Sequence, residues 1–265
     1  TLINNGATKM SDRKKLFVTG AAGKVGAALR KHLSDRYDFR LLFHKTIPDD
    51  LQPNEEKVVS DIVNYEAMLE ATDGVDVIVH LAIFNRWGGM TNADLSKLTF
   101  DVDMKSTYYL LEAARINKVP TYVYASTNHV TGMYEKEDIC SSIDKPIRPD
   151  SIYGAGKAFG EALGRYYSDN YGIRFFALRI ANFNGEDVPG RDYEPGMSRW
   201  HSPKDIAQMT WRCIEKEELK FGIYYGISNG GEKKWDLSNA IEELGYVPED
   251  DGSAQEHREI YKKDQ

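Results

Sequence analysis

KLFVTGAAGKVG, residues 15–26, runs from a short apolar segment into three glycines, Gly20, Gly23 and Gly26, at G-x-x-G-x-x-G spacing, and then into AALRKHL. The apolar run predicts a strand and the residues after the last glycines a helix over Lys24–Leu33. A strand that enters a helix through a turn bare of side chains lets backbone N–H groups and the positive helix end approach a pyrophosphate. Strand-to-helix turns also use glycine for steric reasons alone. What gives these glycines chemical weight is their place in the first strand–helix unit of an alternating chain.

The alternation continues outward from that unit. FRLLF, KVVS and VDVIVHLA read as strands, with a helix over Tyr65–Ala71 between the last two, then a long helix over about 95–116, then TYVYAS. After the helix that opens SIYGAGK comes IRFFALRI, a further apolar run. Near-continuous apolar strands that alternate with helices are buried on both faces, which is the pattern of a parallel sheet with right-handed crossovers. The fold class expected is therefore α/β, a Rossmann-like doubly wound parallel sheet over residues 14–180, with a small C-terminal substrate-binding portion over 181–265 interleaved with it. Residues 1–13 are polar and aperiodic and are expected to be a flexible leader. NFNGEDVPGRDYEPG is expected to be a long loop over the site. SPKDIAQMTWRCIEK restarts a helix, with Ser202 as N-cap, Pro203 in the first turn and Asp205 completing a capping box. A late strand in FGIYYGIS and a short helix in DLSNAIEELGY complete the chain.

Composition excludes several classes. A chain of 265 residues, 41% hydrophobic and 28% charged, can bury one sizeable core. Its net charge of -7 argues against a nucleic-acid surface, though not against a local anion pocket. No apolar run is long enough to cross a membrane, and nothing resembles a signal peptide, so a cytoplasmic protein is expected. Cys140 and Cys213 stand alone, without metal-ligand spacing, so neither a disulfide framework nor a metal site is expected.

Candidate site residues gather where the strands of such a sheet end. The cofactor-facing set comprises Gly20, Gly23, Lys24, Val25, Gly26, His44, Lys45, Asp61, Ile62, Leu81, Ala82, Tyr153, Lys157 and Ile180. His44 and Lys45 follow the second strand, where an acidic residue usually takes the adenosine ribose hydroxyls; a basic residue there leans towards NADP over NAD, or towards use of both. Asp61 can accept from an adenine amino group or cap the helix after it. Tyr153 and Lys157 lie four residues apart and share one helix face. A phenol is a poor base at neutral pH, and holding it as phenolate beside a lysine takes about 4 kcal/mol of differential stabilisation. Ser126 and Thr127 supply hydroxyls at the end of an earlier strand. The tyrosine helix also carries Gly156, Gly160 and Gly164, each costing about 1 kcal/mol against alanine, which calls for close packing against a sheet or another helix.

TGAAGKVG, HLA at 80–82, AST at 125–127, YGAGK at 153–157 and ELGYVP at 243–248 occur in an order that resembles an extended short-chain dehydrogenase/reductase. YASTNHVTGMY followed by RPDSIYGAGKAFGE is most similar to uronate dehydrogenases and related NAD-dependent sugar dehydrogenases, which oxidise the anomeric hydroxyl of a free sugar to a lactone. The resemblance implies Tyr153 as acid/base, Lys157 as the residue that lowers its pKa and binds the nicotinamide ribose, and Thr127 as the polarising hydroxyl. It implies sugar contacts at Ser126, Thr127, Asn128 and His129, and at Asn85 and Asn182, where those enzymes carry serine. Their carboxylate-clamping arginine falls at Pro195 here, with Arg191 and Arg199 nearby. The expected substrate is thus a uronate, sugar phosphate, sulfonated sugar or neutral aldose. The resemblance also implies a homodimer formed through the tyrosine helix. Two other readings share the fold: a nucleotide-sugar epimerase or dehydratase, which needs a larger C-terminal portion, and a dinucleotide sensor, which has no use for an intact Thr127, Tyr153 and Lys157.

Overall fold

The computed structural model describes residues 13–84, 90–189, 199–230 and 234–253. Seven parallel strands form one sheet: β1 (Lys15–Thr19), β2 (Asp38–Phe43), β3 (Glu55–Val59), β4 (Val77–His80), β5 (Thr121–Thr127), β6 (Arg174–Ile180) and β7 (Phe221–Gly226). Their spatial order is β3-β2-β1-β4-β5-β6-β7. The chain moves one way from β1 through β2 to β3, then crosses back to lay β4 on the other side of β1. That reversal opens a crevice beyond the carboxyl ends of β1 and β4.

Alternate residues of each strand feed two cores. Leu16, Val18, Leu41, Val79 and Leu178 face α1 (Lys24–Leu33) and α7 (Pro203–Glu215). Phe17, Leu42, Ile78, Tyr122 and Phe175 face the opposite side. There they meet α2 (Tyr65–Ala71), α4 (Lys105–Ile116) and α6 (Ile152–Tyr171). Burial on both faces is why these strands read as unbroken apolar runs. The C-terminal residues supply both β7 and α7 to this same sheet.

Three details depart from the sequence expectations, and one decides between two of them. The run over 95–116 is not one α-helix: α3 (Asn92–Leu98) passes into a π-helical turn, Thr99–Met104, before α4. Such a turn bulges outward and is common beside functional sites; here it meets α6, where a Cβ on Gly156 would strike Thr99 Cγ2 at 2.5 Å. Secondly, Gly156, Gly160 and Gly164 pack on their own chain. A Cβ on Gly160 would run into the Tyr124 ring, and one on Gly164 into the Phe175 ring. Close approach to the π-helical turn at Gly156 and to the sheet at Gly160 and Gly164 accounts for the glycine strip.

Thirdly, Ser202 caps α7 by accepting from Asp205 N at 3.0 Å, but Asp205 does not close the box. Its carboxylate accepts from Ser228 Oγ and from the N–H groups of Glu249 and Asp250, while Ser202 N donates to Ser228 Oγ. Asp205 thereby ties the chain after β7 to the start of α7. Finally, β5 is followed by a 3-10 turn, Asn128–Thr131, and α5 (Gly132–Lys136), where no helix was expected. The expected leader lies outside the described residues, apart from Arg13.

Candidate active site

Gly20 leaves β1 with φ +70°, in the left-handed region. A Cβ there would sit 2.8 Å from Ala82 N, so only glycine lets the turn lie backbone against backbone with the exit of β4. A Cβ on Gly26 would meet the carbonyl oxygens of Gly20 and Ala21 at 2.6 Å. Gly23 occupies the N-cap of α1, contributes no capping side chain, and is followed by no acidic residue in the first turn. The N-terminus of this ten-residue helix therefore presents its first N–H groups and its positive dipole end at the crevice. A cradle stripped of side chains in this way fits a dinucleotide pyrophosphate.

The crevice is about 710 Å³ and is lined by Gly20, Gly23, His44, Lys45, Asp61, Ile62, Leu81 and Ala82 among others. His44 and Lys45 are exposed at the end of β2. Asp61 does not cap α2: Asn64 does, accepting from Ala67 N at 3.2 Å, whereas Asp61 Oδ1 accepts from Val63 N in a tight local turn. Lys24 is exposed, with its stem against Gly185. Val25 and Ile180 are turned into the core shared with α1 and α7.

Beneath the crevice lies a polar hub that the sequence did not announce. Thr19 Oγ1 accepts from the N–H groups of Leu81 and Ala82, both at 3.2 Å, and lies 2.8 Å from His80 Nδ1. With its acceptor capacity used, the threonine hydroxyl donates to Nδ1, so the imidazole carries its proton on Nε2 and donates to Thr107 Oγ1 at 3.3 Å. Thr107 Oγ1 in turn donates to Asp103 O at 2.7 Å. Burial, reinforced by the charge of Lys157, holds His80 well below the ordinary imidazole pKa. A histidine ending the apolar run VIVH is its one trace in the sequence, and the register that sets it beside Thr19 belongs to the folded sheet.

The tyrosine helix starts where β5 ends. Ser151 caps α6 by accepting from Gly154 N, and Gly154 is glycine because a Cβ there would collide with the His129 carbonyl. Tyr153 thus stands beside His129, ring centroids 6.0 Å apart and edge to face. His129 Nδ1 lies 2.9 Å from Asp150 Oδ1, which fixes the imidazole. One turn on, Lys157 is only 2% exposed, with Nζ 4.6 Å from the Tyr124 ring centroid and 5.8 Å from that of Tyr153. Aromatic faces compensate part of the cost of burying the ammonium. Burial also pushes the Tyr124 hydroxyl far up, so it remains a neutral phenol. Thr127 is buried at the end of β5, where Oγ1 accepts from His129 N and donates to Asn128 Oδ1, both at 3.3 Å.

Ser126, expected on the sugar side, is turned away from Thr127 by strand alternation. Its hydroxyl donates to Glu161 Oε1 at 2.6 Å. The Glu161 carboxylate also takes a bidentate pair from Arg179 at 2.9 and 2.8 Å, and Arg179 reaches Tyr225 Oη. This buried network pins α6 to β5, β6 and β7. Two charges in otherwise apolar stretches, Glu161 in FGEALG and Arg179 in FALRI, were the available signal. Asn182 is exposed just beyond β6 and bridges to Trp200, accepting from His201 N. Arg199 is half-exposed and donates to Glu135. Asn85 and Arg191, like Pro195, lie outside the described residues. Among the described residues no group of three or more His, Cys, Asp or Glu side chains is placed to hold a metal ion.

The chain is similar to the NAD-dependent glucose-6-phosphate dehydrogenase of Haloferax volcanii, 32% identical over 253 residues that cover 90% of this chain and 94% of that protein. It is 30% identical to the L-arabinose 1-dehydrogenase (NAD(P)(+)) of the same organism, over 90% of this chain and 98% of that one. Among solved structures, uronate dehydrogenase from Agrobacterium tumefaciens superposes with a TM-score of 0.79 at 30% identity, covering 96% of this chain and 90% of that one. Residues 16–229, from β1 to just beyond β7, match the sequence model of the NAD dependent epimerase/dehydratase family, and with these relatives over nearly its full length the chain belongs to that family.

Proposed function

We propose that this protein is an NAD-dependent sugar dehydrogenase that oxidises the C1 hydroxyl of a free aldose or sugar acid to the lactone. What carries the reading is Lys157 beside Tyr153 on α6, next to the His129 that Thr127 holds at the end of β5, in a sheet whose reversal opens a crevice lined by the glycine turn. The relatives support it, since they act on glucose-6-phosphate, L-arabinose and uronates.

When bound, the nicotinamide supplies the hydride acceptor. Tyr153 takes the proton of the C1 hydroxyl as phenolate, a form favoured by the Lys157 ammonium close by. Thr127 turns its hydroxyl to the same substrate oxygen and holds it in line. His129, fixed by Asp150, and Asn128 contact the sugar, with Asn182 on the far side of the site. Arg199 is the candidate for an anionic group on the sugar, the place of the usual arginine being taken by Pro195. Lys45 and His44 meet the adenosine ribose, and a 2′-phosphate there finds a cation, so NADP is accepted besides NAD. The segments that carry Arg199 and Trp235 border the sugar. We place the enzyme in the cytoplasm, a reading its two free cysteines support, and as a homodimer.

The test is reduced-dinucleotide formation across uronates, sugar phosphates and neutral aldoses with both cofactors. Tyr153→Phe is expected to lower turnover by about a thousandfold while dinucleotide binding stays within a few-fold. Near-normal turnover by that variant refutes the acid/base role, and redox-neutral conversion of a nucleotide sugar refutes the dehydrogenase.

A further inference from the structure

Glu135 lies on α5, seven residues after Asn128, and stands outside the reacting groups. Its side chain is 7% exposed, yet three donors converge on it. Asn128 Nδ2 donates to Oε1 at 2.9 Å and Trp235 Nε1 donates to the same oxygen at 3.1 Å. Arg199 Nη1 reaches Oε2 at 3.4 Å. Trp235 is itself buried, its ring stacked near that of Tyr225 at a centroid distance of 6.4 Å. The carboxylate is therefore gripped from Arg199 and Trp235 in the C-terminal part of the chain as well as from the turn after β5.

We propose that Glu135 is a positioning residue that sets the polarity of the sugar-reading edge by holding the Asn128 amide one way round. A carboxylate can only accept, so the Asn128 NH2 must face Glu135 and its Oδ1 must face Thr127. The 3.3 Å contact from the Thr127 hydroxyl to Asn128 Oδ1 agrees with that orientation. The reversed amide would bring Oδ1 against a carboxylate oxygen, two acceptors facing one another with no proton between them. With the amide fixed, Asn128 offers an acceptor next to the reacting centre. While the enzyme is empty the Thr127 proton rests on that acceptor. Once Thr127 turns to the substrate oxygen, Asn128 Oδ1 is open to a neighbouring sugar hydroxyl, which it reads as a donor. The edge thus selects a polyhydroxylated substrate through an amide that cannot flip.

This inference rests on the dehydrogenase reading, and its test separates the two. Glu135→Gln keeps a carbonyl acceptor for Asn128 and Trp235, whereas Glu135→Leu removes it. The expected result is a sugar KM within threefold of the wild type for the Gln variant and raised at least tenfold for the Leu variant, with dinucleotide affinity unchanged in both. In an Asn128→Ala background, Glu135→Leu is expected to add less than twofold, because the effect runs through Asn128. Equal losses in Gln and Leu variants, or full additivity with Asn128→Ala, overturn the proposal. A substrate-free measurement covers a Leu variant that does not fold or an enzyme that oxidises none of the sugars. The Asn128 side-chain NH2 protons, identified in NMR spectra by their loss in Asn128→Ala, are expected to be resolved and slow to exchange in wild type and in Glu135→Gln. Fast exchange with water overturns it whatever the substrate proves to be.

Discussion

His80 and His201 show what burial does to single residues here. Neither imidazole has more than 1% of its surface exposed. Burial lowers His201 to about 3, and burial with the charge of Lys157 lowers His80 well below 6.5. Each is therefore neutral in the folded chain at pH values where the unfolded chain is protonated. Stability from this source is complete above about pH 6.5 and is lost as the pH falls towards the folded values, since the unfolded state then binds more protons. For His201 the slope reaches about 1.4 kcal/mol per pH unit, or about 2 kcal/mol between pH 7 and pH 5, and His80 acts in the same direction. Asp205, whose carboxyl burial pushes up, works in the opposite direction. Urea unfolding at pH 7 and pH 5 checks this, with His201→Gln expected to shrink the difference by about 2 kcal/mol; a wild-type stability flat across that interval contradicts it. The sequence could not show these two residues as buried. His80 reads as the end of a strand and His201 as part of a loop, and only the register with Thr19 and the closeness of Tyr246 Oη, 3.3 Å from His201 Nε2, seal them off from water.

At the scale of elements, the helix boundaries and strand runs were legible because periodicity and end signals agree. Lys24–Leu33 and Tyr65–Ala71 stand as expected from pattern alone. The α7 cap was half legible: Ser202 accepts from Asp205 N as a serine before proline should, but where the Asp205 side chain goes depends on a strand that arrives later in the chain. The function of the α6 glycines was likewise out of reach, since period and residue type are the same whether a glycine stripe meets a sheet or another helix. With the sheet as neighbour, Gly164→Ala forces a methyl group into the Phe175 ring. The gain in helix propensity, about 1 kcal/mol, is outweighed by an overpacking cost of about 1–3 kcal/mol or more. The variant is expected to melt several degrees lower with its oligomeric mass unaltered, by calorimetry and light scattering. A higher melting temperature, or a change of mass alone, contradicts sheet packing.

For the whole molecule, the doubly wound order and the crevice at its reversal follow from alternation and right-handed crossovers, so the sequence sufficed for them. The sugar side did not follow, because it is assembled from pieces far apart in the chain. Asn128, Glu135, Arg199 and Trp235 converge through hydrogen bonds that no local pattern encodes. Assembly beyond one chain is subject to the same limit. The glycine strip no longer argues for a dimer, yet the helical layer of α4 and α6 still leaves Tyr108, Ile152 and Tyr166 about two-fifths to half exposed, with Phe100 of the π-helical turn at 56%. Aromatic side chains on two adjacent helices give a second copy an apolar face to bury, and a two-fold axis would pair the same face with itself. Tyr166→Glu together with Tyr108→Glu places like charges opposite one another across such an axis and leaves both cores untouched. Sedimentation at micromolar concentration is expected to give a dimer for the wild type and a folded monomer for the double variant. A wild type that sediments as a monomer, or a double variant that remains dimeric, removes this face as the interface.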